Sequence, residues 1–145
     1  IGPAAFEEWV WGIFIEIKPM KPTLIDIPKI HDPRGNLSFV EEFKHFPFEI
    51  QRVFWTYNVP SGERRGGHAY KTQNELIVAL SGAVDVVTID ESGNVVTFRL
   101  DRPNKGLLVP PKTWRQMELF SGNAFCVHFS DSKYSSEDYD RSARR

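Results

Sequence analysis

The 145-residue chain has one cysteine, two methionines and no excess of either charge. The lone Cys126 excludes an internal disulfide framework and a cysteine-rich zinc site, and it fits a reducing compartment. Eighteen basic side chains against nineteen acidic ones leave a formal charge of −1, so the charge balance favours neither nucleic acid nor a membrane surface as partner. No apolar run approaches the roughly 20 residues of a membrane-spanning helix. The stretch 6–17 is apolar but carries Glu7, Glu8 and Glu16 and has no basic lead, unlike a secretory signal. Met20 opens Met-Lys-Pro-Thr-Leu, which has the form of a natural start. Residues 1–19 are therefore expected to be an added or upstream extension, ahead of a single domain over 20–145. At 41% hydrophobic and 26% charged residues, the composition is that of an ordinary globular protein with a real core.

Short β-rich runs separated by turn residues dominate the chain. Strands are expected at 24–27, 37–42 and 50–59, the last a β-branched and aromatic run broken by Pro60-Ser61-Gly62. Further runs cover 68–71, 75–80, 83–90, 95–100, 106–109, 115–119 and 124–129. Ser81-Gly82 and Glu91-Ser92-Gly93-Asn94 read as hairpin turns. Only the tail reads as a helix, over 135–145, because Ser135, Ser136, Glu137 and Asp138 suit a helix start. Many short strands without crossover helices predict an all-β, antiparallel double-sheet jelly roll with a short C-terminal helix. The space between its sheets is the natural ligand pocket.

One constellation carries chemistry. Gly62, His68, Tyr70, Glu75 and Gly82 stand at the spacing of the first cupin motif, with Tyr70 where that motif has its second histidine. Two residues apart on a strand, His68 and Tyr70 point to one face, and Ala69 and Lys71 to the other. The corresponding second motif, 106–116, places Gln116 where a further histidine is expected. His68 and Glu75 alone are too few ligands for a zinc, iron or manganese site, so no metal is expected.

The wider sequence resembles the sugar-nucleotide 3,4-ketoisomerases, the WxcM-like branch of the cupins. The resemblance runs from about Leu24 to Arg141. It is carried by 32–37 (Asp-Pro-Arg-Gly-Asn-Leu), 47–54, 65–69, 80–82, 100–107, Trp114-Arg115 and the tail Glu137-Asp138-Tyr139-Asp140. It implies a metal-independent, cofactor-free, homodimeric cytoplasmic enzyme. Its substrate would be a dTDP-4-keto-6-deoxyhexose, whose carbonyl moves from C4 to C3 in deoxy-sugar synthesis for surface polysaccharides. This chain departs from the branch at Tyr70, since the second histidine usually serves there in proton transfer. The related 3,5-epimerases pair a histidine base with a tyrosine acid, so a His–Tyr pair is chemically workable.

The reaction needs a base of suitable pKa at C3 and donors for the enediolate. His68 is the candidate base. Tyr70 is the candidate acid or sugar contact, with aromatic packing as its alternative. Tyr57 is a third catalytic candidate, on a strand that also carries Arg52 as a binding candidate; core packing is the other reading of Tyr57. Arg65, Lys71, Arg102 and Arg115 are candidates for the diphosphate, because guanidinium groups fork onto phosphate oxygens. Trp114 and Phe54 are candidates to stack on thymine, and Glu75 to orient a neighbour. His128 stays unassigned, and Cys126 reads as a small buried hydrophobe. A 3- or 3,5-epimerase and a non-catalytic sugar-nucleotide-binding cupin remain the rival functions.

Overall fold

The computed structural model describes residues 20–144; the expected extension 1–19 and Arg145 lie outside the described residues. Turn residues cut the described residues into twelve strands. They are β1 (Thr23–Asp26), β2 (Lys29–Ile30), β3 (Leu37–Ser38), β4 (Arg52–Tyr57), β5 (Arg65–Tyr70) and β6 (Glu75–Ser81). Then follow β7 (Val84–Ile89), β8 (Val95–Leu100), β9 (Lys105–Val109), β10 (Trp114–Glu118), β11 (Phe125–Ser130) and β12 (Tyr139–Asp140). One sheet runs β1-β9-β6-β11-β4 and the other β12-β5-β10-β7-β8, with β2 and β3 forming a separate ribbon. All strand pairs in these sheets are antiparallel, as a jelly roll requires.

Period-two alternation decides which side chains fill the space between the sheets. Ile77 and Ala79 of β6, Val84 and Val86 of β7, Leu107 and Val109 of β9, Met117 and Cys126 form a buried apolar cluster there. A second cluster forms on the back of the first sheet, where Phe46 and Phe48 cover Leu76, Val78, Leu108 and Val127. A third, Ala69, Val87, Ile89 and Trp114, lies on the back of the second sheet.

The C-terminal helix expected over 135–145 does not form. Ser136–Asp138 makes a single 3-10 turn, and Tyr139–Asp140 then pairs with β5 as an edge strand. The acidic start is real, but its purpose is tertiary. Asp138 accepts hydrogen bonds from Thr72 N (3.0 Å), Thr72 Oγ1 (2.6 Å) and Gln73 Nε2 (2.9 Å). The backbone N–H of Lys71 also donates to Asp138 O at 2.7 Å. These contacts hold the tail extended against β5, and no apolar helical stripe competes with them.

Candidate active site

A cavity of about 290 Å³ opens between the sheets at one end of the barrel. Phe54, Trp55 and Thr56 of β4 line it, with Arg65, Gly66, His68 and Tyr70 of β5, Arg115 and Met117 of β10, and His128 of β11; Tyr139 and Arg141 of the tail complete the wall. Its floor is a buried ionic network. Arg115 Nε and Nη2 donate to the two oxygens of Glu75 at 2.9 and 2.8 Å. His128 Nδ1 lies 2.8 Å from Glu75 Oε2, and its Nε2 lies 3.1 Å from the Thr56 hydroxyl. Burial lowers the His128 pKa, so the neutral ring donates from Nδ1 to the carboxylate and accepts at Nε2. Burial alone would raise the Glu75 pKa. The adjacent Arg115 charge and the His128 hydrogen bond outweigh it and hold the carboxyl far below its usual range.

Gly66 is required by this network. Its backbone has φ +71°, and its carbonyl accepts from Arg115 Nη1 at 2.7 Å. A Cβ there would collide with the same guanidinium.

Above the floor sits a cluster of three rings. His68, only 5% exposed, has its centroid 4.8 Å from Tyr70 and 4.7 Å from Tyr139. The two tyrosines are 4.9 Å apart and approach edge-on. Burial, then the charge of Arg115, pushes the His68 pKa down to about 3, so the ring is a neutral base at physiological pH. Its Nδ1 has no hydrogen-bond partner among the described residues. Burial and the nearby Glu75 carboxylate push the Tyr70 phenol well above its ordinary range, which keeps it a proton donor. Arg52 Nη2 donates to Gln73 Oε1 at 3.0 Å and lies 3.4 Å from the Tyr70 hydroxyl.

The structure thus brings His68, Tyr70, Arg65, Arg115 and Phe54 to one cavity and separates the other candidates from it. Tyr57 points to the opposite face of β4, is 53% exposed and stacks on Phe125; the inward positions of that strand are Arg52, Phe54 and Thr56. Arg52 sits behind the lining, its guanidinium carbon 4.7 Å from the Phe54 ring centroid, and it braces Tyr70 and Gln73 instead of reaching the ligand space. Trp114 faces the back of the second sheet with Ala69 and Ile89, because its neighbour Arg115 takes the inward position. It cannot stack on a base in the cavity. Lys71 follows β5 and is exposed outside the lining. Arg102 pairs with Asp101 at 3.1 Å beside a different hollow. Glu75 is fully buried and holds Arg115 and His128, so it contacts no ligand directly. Arg115 reaches the wall, yet Glu75 and the Gly66 carbonyl already take part of its guanidinium, so its primary work is internal.

Four polar lining residues have no role assigned from sequence. His128 and Thr56 carry no motif signal. Tyr139 and Arg141 sit in the tail read as a helix, although the tail belongs to the segments that carry the resemblance. Among the described residues, no group of three or more His, Cys, Asp or Glu side chains is placed to hold a metal ion.

Residues 20–145 match the family described as FdtA, "WxcM-like, C-terminal". The chain belongs to this family. A TDP-4-oxo-6-deoxy-alpha-D-glucose-3,4-oxoisomerase of Aneurinibacillus thermoaerophilus is 34% identical over 122 residues, 84% of this chain and 87% of that protein. The crystal structure of QdtA, a sugar 3,4-ketoisomerase from Thermoanaerobacterium thermosaccharolyticum in complex with TDP, superposes with a TM-score of 0.82 at 27% identity, covering 85% and 89% of the two chains. A 3,4-ketoisomerase from Helicobacter canadensis gives 0.81 at 29% identity, with 86% and 92% covered. A dTDP-4-dehydrorhamnose 3,5-epimerase from Bacillus anthracis shares the fold at a TM-score of 0.72 and 20% identity, over 81% of this chain and 76% of the other.

Proposed function

We propose that this family member is a sugar-nucleotide 3,4-ketoisomerase. It moves the carbonyl of a dTDP-4-keto-6-deoxyhexose from C4 to C3 through an enediol, in deoxy-sugar synthesis, using side chains alone. The observation that carries this reading is a neutral, buried His68 packed against the Tyr70 phenol in a cavity between the sheets. A neutral imidazole removes the C3 proton; the C3–H electron pair becomes the C3–C4 double bond, and O4 takes the negative charge. The Tyr70 phenol and the cationic Arg115, whose guanidinium carbon lies 5.5 Å from the Tyr70 ring centroid, stabilise that oxyanion. A proton returned at C4 then leaves the carbonyl at C3. Arg65 and Arg141, both exposed members of the lining, suit the diphosphate.

The chain is proposed to act as a homodimer in the cytoplasm. The outer face of β4 presents Val53, Trp55 and Tyr57, 43%, 55% and 53% exposed, and β4 is the edge strand of its sheet among the described residues. An apolar edge of this kind calls for a partner, and a second copy supplies the same surface by symmetry.

The reaction is tested by incubation with TDP-4-keto-6-deoxyglucose in heavy water, read by NMR. Transfer of the carbonyl to C3 is the expected result. Inversion at a carbon with C4 still a ketone identifies an epimerase, and TDP binding without exchange identifies a non-catalytic binding protein.

A further inference from the structure

Ketone transposition between neighbouring carbons needs two proton movements. One is on carbon, from C3 to C4. The other is on oxygen: O3 begins as a hydroxyl and ends as the carbonyl, while O4 does the reverse. One imidazole serves the first, and a separate relay must serve the second. The tail strand supplies one. Tyr139 stands directly opposite Tyr70 in the β12–β5 register, so both side chains fall on the cavity face. Their hydroxyls lie 3.5 Å apart, and both rings flank His68. Tyr70 is buried, whereas Tyr139 is partly exposed and lines the cavity. The Asp138 bonds to Thr72 and Gln73 lock the residue before Tyr139 in place, and the Arg141 guanidinium carbon lies 4.7 Å from the Tyr139 ring centroid.

We propose that Tyr139 is a further catalytic residue, which forms with Tyr70 a two-phenol relay carrying the hydroxyl proton from O3 to O4. This rests on the ketoisomerase reading above. After His68 has taken the C3 proton, one phenol of the pair gives its proton to the O4 oxyanion. The second phenol refills the first and takes the proton of the O3 hydroxyl. The O3–H electron pair then closes the C3 carbonyl, and the C3–C4 double-bond pair takes the proton held on His68 to form the C4–H bond. Protons and electrons balance with no outside reactant. Both phenols end as they began, and His68 returns to neutral.

The test is Tyr139→Phe, which removes one oxygen and keeps the ring against His68. With TDP-4-keto-6-deoxyglucose in heavy water, the wild-type protein forms the 3-keto product with deuterium entry. In the variant, product formation is expected to fall about 100-fold, a general acid–base contribution of ordinary size. Loss of the C3 proton to solvent is expected to persist within about threefold of wild type, because His68 can still remove and return that proton. Unchanged TDP affinity by calorimetry marks a folded, substrate-competent variant. Equal loss of exchange and product, or no loss of either, overturns the relay. A wild-type protein inert towards the ketosugar overturns the ketoisomerase reading instead, so the two failures are distinguishable.

Discussion

Glu75 and Arg115 meet through two parallel hydrogen bonds of 2.9 and 2.8 Å with both side chains sealed from solvent. They stand on different sheets, β6 and β10, so the pair ties the two layers together beneath the cavity. A buried pair of this kind is costly to break, because the surviving charge stays desolvated.

Glu75→Gln is therefore expected to destabilise the fold by about 3–5 kcal/mol, the range for removing one partner of a buried ion pair. Glu75→Gln combined with Arg115→Met removes both charges and is expected to recover part of that loss. Urea unfolding of the two variants measures the difference. A single variant as stable as wild type contradicts the bracing role.

His68→Asn removes the base while leaving Arg65, Arg141 and the floor network in place. Turnover of the keto sugar is expected to fall about 1,000-fold, within the range assigned to acid–base groups. TDP affinity, read by calorimetry, is expected to stay within a few-fold of wild type. Undiminished turnover rules out the base assignment.

Stability is expected to fall as the solution is acidified below neutrality. His68, with its folded pKa pushed down to about 3, and His128, also lowered, bind a proton more readily in the unfolded chain. Between the ordinary histidine value near 6.5 and pH 3, the unfolded state therefore carries the extra protons. Each such group contributes a slope of up to about 1.4 kcal/mol per pH unit. Glu75 acts in the same direction lower down. Its folded pKa is depressed, so its contribution is full above the unfolded carboxylate value and is lost as pH falls below it. Thermal melts from pH 8 to pH 4 are expected to show a plateau followed by a steady decline starting near pH 6.5. A melting temperature that is flat down to pH 4 contradicts the neutral, buried histidines.

Trp55→Glu places a charge in the exposed apolar stripe of β4 without touching the inward residues Phe54 and Thr56. Analytical ultracentrifugation is expected to give a dimer for wild type and a monomer for the variant, since like charges would face each other across a symmetric contact. A wild-type monomer at tens of micromolar, or a variant that still dimerises, removes β4 as the contact.

Much of the site follows from strand periodicity alone. Side chains alternate across a strand, so His68 and Tyr70, two residues apart, had to share a face wherever β5 lay. The Gly62–Gly82 spacing marked that face as the one enclosing a pocket. The same alternation made antiparallel hairpins, and hence the jelly roll, readable from short β-branched runs between glycine and asparagine turns. What local rules leave open is which face of a strand turns inward. On β4 both faces are aromatic, Phe54 against Trp55 and Tyr57, and hydrophobicity does not distinguish them. Only pairing with β11, with Thr56 opposite Cys126 and Phe54 opposite His128, turned Thr56 and Phe54 to the cavity and Tyr57 outward. The tail departs from its local signal for a related reason: acidic residues after serine satisfy a helix start locally, yet here Asp138 finds the Thr72 and Gln73 donors across the fold. His128 reaches Glu75 over a sequence separation of 53, and Tyr139 reaches Tyr70 over 69. Such partners are chosen by the packing of two sheets, in which a buried carboxylate and a buried imidazole must each find a partner. A one-dimensional pattern carries no record of that requirement.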